Sequence, residues 1–213
     1  MESSVTEKEV KAKRSAVDRR EQLVNIAMNL IATKGFEGLR FQEVAKEAGI
    51  NNATLFYHFS SKEELIQAVM QRLGEEFRRT PPQAAGGPAN ALEELRVELA
   101  SVGDLARHGR RLLLVYTELS LRALRDPVIG ESVRRLEEGW RWYLSDMIAR
   151  GQREGVFRAE IDAQAAALAL IAQCKGMGFH ALTGQLSDGE IERMVGQLMG
   201  QVEASLRSAG NRE

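Results

Sequence analysis

The 213-residue sequence contains one cysteine, three histidines and four prolines, and its formal net charge at neutral pH is -1. The single cysteine, Cys174, cannot form a disulfide within the chain, which fits a reducing compartment. The first residues, MESSVTEKEVKAKR, contain no apolar run and so do not resemble a secretory signal. We find no segment that approaches the roughly 18 apolar residues needed to cross a bilayer. We therefore expect a cytoplasmic protein with no membrane segment.

The few histidines and the lone cysteine also give little support to catalysis. His58, His108 and His180 are far apart, and the sequence contains neither an HExxH nor a CxxC pattern. Cys174 lies in an apolar stretch with no activating neighbour beyond Lys175. No glycine-rich loop that could hold a phosphate is present. We expect no enzymatic activity, no metal and no cofactor.

Charge is distributed unevenly along the chain. The segment from Lys8 to Lys62 has a formal charge of +4, whereas the remainder has -5. A basic N-terminal quarter on an acidic body indicates that one end meets a polyanion, although chance can also produce such an imbalance.

Apolar periodicity predicts an all-α fold of about nine helices. Residues 1–18 are charged and aperiodic, so we interpret them as a flexible basic arm whose lysines either contact DNA or are simply solvated. Proline and glycine at 80–88 predict a linker. The predicted helices cover residues 19–34, 41–48, 51–57, 61–78, 89–107, 110–124, 128–153, 163–183 and 188–207. Their predicted N-terminal caps are Asn51, Ser61 with Glu64, Asp162, and Ser187 with Glu190.

Two short helices joined by a glycine turn and braced by a third form a helix-turn-helix unit. Gly49 suits the turn. Leu55 and Phe59 are expected to pack into its core, so the second short helix is free to enter a major groove.

The stretch TKGFEGLRFQEVAKEAGINNATLFYHFSSKEEL resembles the DNA-binding domain of the TetR (tetracycline-repressor-like) regulators. The strong part of the match covers about residues 22–66. The resemblance implies three domains: an arm at 1–18, a helix-turn-helix DNA-binding domain at 19–66 and a larger helical effector-binding and dimerisation domain at 67–213. The matching pairs and runs are Gly35-Phe36, Val44-Ala45, Ala48-Gly49, Thr54-Leu55, His58-Phe59 and Lys62-Glu63-Glu64-Leu65.

By position, the resemblance implies that Asn52, Thr54, Tyr57 and His58 lie at the DNA surface and that Lys62 meets a phosphate. Alternatively, His58 is an ordinary surface histidine and the aromatic run is core packing. We expect core packing for Phe56 as well as Phe59. The complete predicted DNA-binding set is Arg40, Asn51, Asn52, Thr54, Tyr57, His58 and Lys62.

Two residues depart from the family pattern. Arg40 stands where a capping Ser or Thr is usual. Either the helix loses about 1 kcal/mol of capping stabilisation, or Arg40 contacts a phosphate instead. Phe56 stands where the family usually has Tyr, so a hydroxyl that often meets the DNA backbone is missing.

The last two helices are the predicted dimer face. Residues 163–183 are apolar almost all round and rich in Ala and Gly, and the final helix has a continuous apolar stripe. In the family, two such helices from each subunit form a four-helix interface, and a two-fold dimer matches a palindromic operator. The alternative is that both helices fill the monomer's own core.

The resemblance also implies an effector pocket among the middle helices, mostly apolar with a few polar groups. Core packing is the competing interpretation for each residue. The predicted lining is Leu105, His108, Leu112, Tyr116, Leu119, Trp140, Tyr143, Met147, Gln173, Cys174, Met177 and His180.

These features predict a dimeric, ligand-responsive transcriptional regulator, most consistent with a repressor that a largely apolar small molecule releases from its operator. One alternative is a helical protein that binds a protein partner, with DNA contact secondary. Another is a small-molecule-binding or enzymatic helical domain.

Overall fold

The computed structural model describes residues 3–78 and 89–206, with side chains described from residue 17. Over these ranges the protein consists of helices and turns without strands, which confirms the predicted all-α class. The 3-10 turn Phe36–Gly38 separates the first two α-helices. The α-helices are α1 Ser3–Lys34, α2 Phe41–Glu47, α3 Asn52–His58, α4 Lys62–Phe77, α5 Ala91–His108, α6 Arg110–Ala123, α7 Pro127–Arg153, α8 Ala163–Leu182 and α9 Asp188–Leu206.

The first helix is longer than the sequence predicted. α1 begins at Ser3, so the prediction of a non-helical arm is wrong for residues 3–18. This stretch lacks an apolar stripe, but it also lacks glycine and proline. It is rich in Lys, Glu, Arg and Ala, which have high intrinsic helix propensity. As predicted, α1 ends before Gly35, which has a positive φ of 71°.

The helix caps predicted for α8 and α9 are confirmed. Asp162 Oδ1 accepts hydrogen bonds from the backbone N–H groups of Gln164 and Ala165 at 2.9 and 3.1 Å. Before α9, the Glu190 carboxylate accepts the backbone N–H of Ser187 at 2.8 Å. These bonds satisfy backbone N–H groups at the starts of the two helices, which have no carbonyl acceptor within the helix.

The chain divides into two compact units. The first comprises the chain up to Glu76 together with Leu114–Val133, and the second comprises Phe77–Leu113 together with the chain from Arg134 onward. Helices α6 and α7 therefore each contribute residues to both units. The functional boundary expected near residue 66 stays a prediction, and the expected linker at 80–88 lies outside the described residues.

The second unit has an apolar core supplied by α5, α7, α8 and α9. Leu95, Leu144, Ile171 and Val202 are representative of it. Between α7 and α8, the side-chain amide of Gln152 donates to the backbone carbonyls of Arg158 and Ile161 at 3.0 and 2.8 Å. These bonds give fixed partners to backbone groups of the loop between α7 and α8, which lies between the helices predicted at 128–153 and 163–183.

Helix α8 corrects one expectation drawn from the sequence. Ala163–Leu182 is long and apolar enough to cross a bilayer by length and composition alone, and it is the one such helix within the described ranges. Its longest apolar run is AAALALIA at residues 165–172, and Gln164, Gln173 and Lys175 interrupt the apolar sequence on either side of that run. Core helices of proteins outside membranes meet the same criterion. Because 33% of its most apolar window is buried within the chain, much of its surface is available for another contact.

Candidate nucleic-acid interface and effector residues

The turn between α2 and α3 is a Schellman motif. The Gly49 N–H donates to the Lys46 carbonyl at 3.1 Å, and the Ile50 N–H donates to the Ala45 carbonyl at 3.0 Å. Gly49 has a φ of 64°, a left-handed conformation that glycine adopts at little cost. The predicted glycine turn is therefore present, and it fixes the direction in which α3 leaves α2.

Asn51 caps α3, as predicted. Its Oδ1 accepts the backbone N–H of Thr54 at 2.8 Å and the hydroxyl of Thr54 at 2.9 Å. The hydroxyl has one hydrogen to donate, and this bond uses it. In this conformation the Thr54 hydroxyl has no further hydrogen to donate, whereas Asn51 keeps its NH₂ group as a donor.

The burial pattern of α3 separates its structural residues from its surface residues. Leu55 and Phe59 are fully buried, as expected. Tyr57, by contrast, is 82% exposed. The exposed face consists of Asn52, Ala53, Phe56 and Tyr57, while Thr54 and His58 lie at its partly buried edge.

The expectation that Phe56 packs in the core is wrong. Phe56 is 53% exposed, and its ring centroid lies 5.0 Å from that of Phe41 on α2. Leu55 and Phe59 are four residues apart and occupy the buried face, so Phe56 turns outward. Helical spacing could have revealed this, because 52, 53, 56 and 57 share one face of a helix. Phe41 and Phe56 thus present an apolar surface beside Tyr57.

Arg20 on α1 braces both α3 and α4. Its guanidinium lies 4.4 Å from the centroid of the buried Phe59 ring and 3.2 Å from Glu64 Oε1. The other oxygen of Glu64 accepts the backbone N–H of Ser60 at 2.8 Å. The predicted capping interaction between Ser61 and Glu64 is thus altered. The Glu64 carboxylate bonds to Ser60, while the backbone N–H of Glu64 donates to Ser61 Oγ at 3.2 Å. The hydrogen bonds from the Ser60 backbone N–H and hydroxyl, together with Arg20, hold the pKa of the Glu64 carboxyl below its usual value.

Lys62 begins α4 and contacts an aromatic ring. Its Nζ lies 4.6 Å from the centroid of the Phe36 ring, and the Arg122 guanidinium lies 5.0 Å from the same centroid. Burial lowers the pKa of Lys62, although the carboxylate of Glu37 opposes that effect. Lys62 and Arg122 line a cleft of about 100 Å³ together with Asp126. A phosphate contact by Lys62 would require the ammonium group to leave this ring.

Arg40 occupies the N-cap position of α2 without a side-chain capping bond, as its chemistry predicts. Its side chain is exposed. Lys46 and Gln42 on α2 are exposed too, and sequence reasoning did not select them. An exposed arginine in this place can reach a phosphate.

The residues predicted to line an effector pocket differ widely in exposure. Met147, Cys174 and Met177 are buried in the second unit, where burial raises the pKa of the Cys174 thiol to about 12. Leu119 and Tyr116 belong to the first unit. Among the remaining predicted residues, the partly buried ones are Leu105, Leu112 and Trp140. The exposed ones are His108, Tyr143, Gln173 and His180.

One polar residue of the second unit was missed from the sequence. Glu98 on α5 is partly buried, and its Oε1 accepts the indole N–H of Trp140 at 2.8 Å. Four residues earlier, Glu94 accepts the Tyr143 hydroxyl at 3.1 Å and pairs with Arg150 at 2.6 Å. Two glutamates one turn apart suggest a solvated helix face, so the sequence alone did not single out Glu98.

Comparison with known families agrees with this geometry. Residues 23–69 match the model of bacterial regulatory proteins of the tetR family. Residues 91–207 match the C-terminal model of BetI-type transcriptional repressors. The chain belongs to the TetR family. It is a DNA-binding transcriptional regulator.

The TetR relatives include repressors. The chain is 24% identical over 144 residues to the HTH-type transcriptional repressor KstR2 of Mycobacterium tuberculosis, covering 68% of this chain and 72% of KstR2. A regulator of Saccharomonospora viridis in complex with choline is 26% identical with a TM-score of 0.73, over 90% of this chain and 99% of that one. A TetR regulator of Chloroflexus aurantiacus is 22% identical with a TM-score of 0.80, over 92% of this chain and 100% of that one.

Proposed function

We propose that this TetR-family regulator is a repressor that binds a palindromic operator as a dimer and leaves it when a small organic effector binds. The DNA-binding part of this proposal is supported by the separation of α3 into a buried face and an exposed face. Buried Leu55 and Phe59 fix the helix, while Tyr57 is 82% exposed on its outer face. A short helix held in this way can enter a major groove.

The proposed DNA contacts divide by chemistry. Asn52 and Tyr57 are exposed on α3, and in the proposed complex they would meet base edges or the backbone. Phe56 adds an apolar ring suited to thymine methyl groups. Thr54 would contribute its methyl group, because its hydroxyl hydrogen is bonded to Asn51. Phosphate contacts would come from the predicted Arg40, Asn51, His58 and Lys62. For Lys62 this requires a rearranged side chain, or the free N–H groups at the start of α4 make the contact instead.

We propose α8 and α9 as the dimer interface. Leu168 and Phe179 are 55% and 54% exposed on α8. The α9 glycines Gly196 and Gly200 have no neighbour within 4 Å of an added Cβ. Exposed apolar side chains beside small residues suit close helix packing against a second copy. The dimer would set its two α3 helices about 34–36 Å apart, one turn of DNA.

We place the effector site in the second compact unit, with the predicted pocket residues that belong to that unit as its candidate lining. The S. viridis relative supports a small organic ligand, because its structure contains choline. The effector acts by favouring a conformation with a different spacing of the α3 helices, and it can shift the equilibrium only by its difference in affinity for the two conformations. We expect α4 to transmit the change and the protein to act in the cytoplasm.

Selection of genomic fragments by the purified dimer, followed by fluorescence anisotropy on the selected sequence, tests this function. We expect salt-sensitive binding to a palindrome. Tyr57→Ala should weaken it about tenfold or more. Trp142→Ala is the matched control, because Trp142 is an aromatic residue 68% exposed in the second unit. Failure to select any sequence would reject the regulator and favour a helical body that binds a protein partner.

A further inference from the structure

The second unit contains a carboxylate without a basic partner. Among the described side chains, Glu98 forms no ion pair with lysine, arginine or histidine, and its hydrogen-bond partner is the indole N–H of Trp140. Trp140 packs against the apolar core that contains Leu99 and Cys174. Within the part of the chain that the structure describes, the surroundings of the partly buried Glu98 therefore provide one neutral donor.

Three cations on α5, α7 and α8 pair with other carboxylates. Arg150 on α7 lies 2.6 Å from Glu94, and Lys175 on α8 lies 2.6 Å from Glu137. Arg96, two residues before Glu98, lies 2.7 Å from a Glu203 oxygen on α9. α5, α7 and α8 all supply residues to this core, and their described side chains form no ion pair with Glu98.

Leaving this carboxylate unpaired is unfavourable. A charged group removed from water without a counter-charge is destabilised unless it takes up a proton. Burial accordingly raises the pKa of Glu98. The hydrogen bond from Trp140 opposes that effect, and the negative charge of Glu94 adds to it. An entering cation would remove this cost, whereas a neutral or anionic molecule would not.

We propose that Glu98, Trp140 and Tyr143 form the charge-recognising part of the effector site and that the effector is an organic cation, an ammonium group on a largely apolar body. The carboxylate supplies the opposite charge. The faces of the two rings attract a cation through their π electrons, and Tyr143 is held by its hydrogen bond to Glu94 at 3.1 Å. This inference rests on the proposed ligand response and adds the chemical class of the ligand.

Calorimetric titration of the full-length protein with two ammonium ions, choline and benzyltrimethylammonium, tests the class. The neutral control is 3,3-dimethylbutan-1-ol, which has the shape of choline without its charge. We expect at least one ammonium ion to bind about tenfold or more tightly than the alcohol. Glu98→Gln keeps an oxygen for the Trp140 N–H and should abolish this preference, whereas Glu98→Asp should restore part of it. Glu138→Gln, an exposed change on α7, should leave binding unaltered.

The preference for charge is the deciding result. If neither ammonium ion binds at millimolar concentration, or if Glu98→Gln binds both as the parent protein does, the proposal is wrong. Anisotropy on the selected operator is measured in parallel. Intact DNA binding without ammonium binding rejects the ligand class alone. Ammonium binding without any selected DNA sequence rejects the regulator and leaves the cation site in place.

Discussion

The Glu118 carboxylate accepts a hydrogen bond from the backbone N–H of Phe36 at 3.1 Å, joining residues 82 positions apart in the first compact unit. Phe36 follows Gly35 at the end of α1, and Glu118 lies on α6. The bond therefore ties the C-terminal part of α6 to the turn that precedes the helix-turn-helix.

Glu118→Ala should lower the free energy of unfolding by about 1–2 kcal/mol, because a hydrogen bond to a charged group is lost and a partly buried N–H is left without that acceptor. Glu118→Gln keeps an acceptor and should cost less. Urea denaturation followed by circular dichroism measures both. Equal stability of Glu118→Ala and the parent protein would show that water replaces the bond at no cost.

Asn51→Ala should destabilise the protein by about 1 kcal/mol, because it removes the N-cap of α3. Its neighbour provides the control. Asn52 is exposed on the outer face of the same helix, so Asn52→Ala should weaken DNA binding with little change in thermal stability. If the two alanine variants melt alike, the cap contributes nothing measurable to the fold.

The sequence predicted much of this interface because its signals are local. Gly49, Asn51, Leu55 and Phe59 follow from turn chemistry, capping and spacing within one short segment, and the structure places all four as expected. Phe56 could also have been assigned to the surface, because Leu55 and Phe59 define the buried face of α3 and Phe56 does not share that face.

Other features depend on contacts distant in sequence. The ring beneath Lys62 comes from Phe36, and the guanidinium that shares it comes from Arg122. Glu98 is distinguished from Glu94 by an indole 42 residues away. Local periodicity does not contain these pairings, so the sequence could not predict them.

Lys62→Ala should weaken binding to all DNA sequences and lower the steepness of its salt dependence by about 0.9, the effect of one lost phosphate contact. Lys175→Ala is the control, because Lys175 pairs with Glu137 in the second unit. Anisotropy over a range of salt concentrations measures the slope. An unaltered slope for Lys62→Ala would mean that the ammonium stays over the Phe36 ring in the complex and that α4 meets the phosphate through its backbone.

Glu98→Gln should change how stability depends on pH. Because burial raises the folded-state pKa of Glu98 above its ordinary value near 4.5, the protonated carboxyl favours the folded state. Its contribution is complete below the unfolded pKa and is lost as the pH rises through the folded pKa. The amide of Glu98→Gln does not ionise, so the variant keeps its stability while the parent protein loses this contribution. The free energy of unfolding of the variant, relative to that of the parent protein, should therefore rise from pH 4.5 upward.

Urea denaturation of both proteins between about pH 4 and 8 measures that difference, because carboxyls with raised pKa values titrate in this range. Ionisable groups elsewhere cancel in the comparison. The neighbouring carboxylate of Glu94 is paired with Arg150 in both proteins. A difference in stability that is constant across this range would place the pKa of Glu98 at its ordinary value.

Gly200→Leu tests the dimer face without disturbing the monomer. An added Cβ at Gly200 has no neighbour within 4 Å, and replacing a helical glycine raises intrinsic helix stability by about 0.5–1 kcal/mol. A leucine here would nevertheless hold the proposed α8–α9 interface apart. Gly139→Leu on α7 is the matched control, because Gly139 is also helical, exposed and without a neighbour. In sedimentation at micromolar concentration, we expect Gly200→Leu to shift toward monomer and Gly139→Leu to remain dimeric, whereas equal behaviour of the two would place the interface elsewhere.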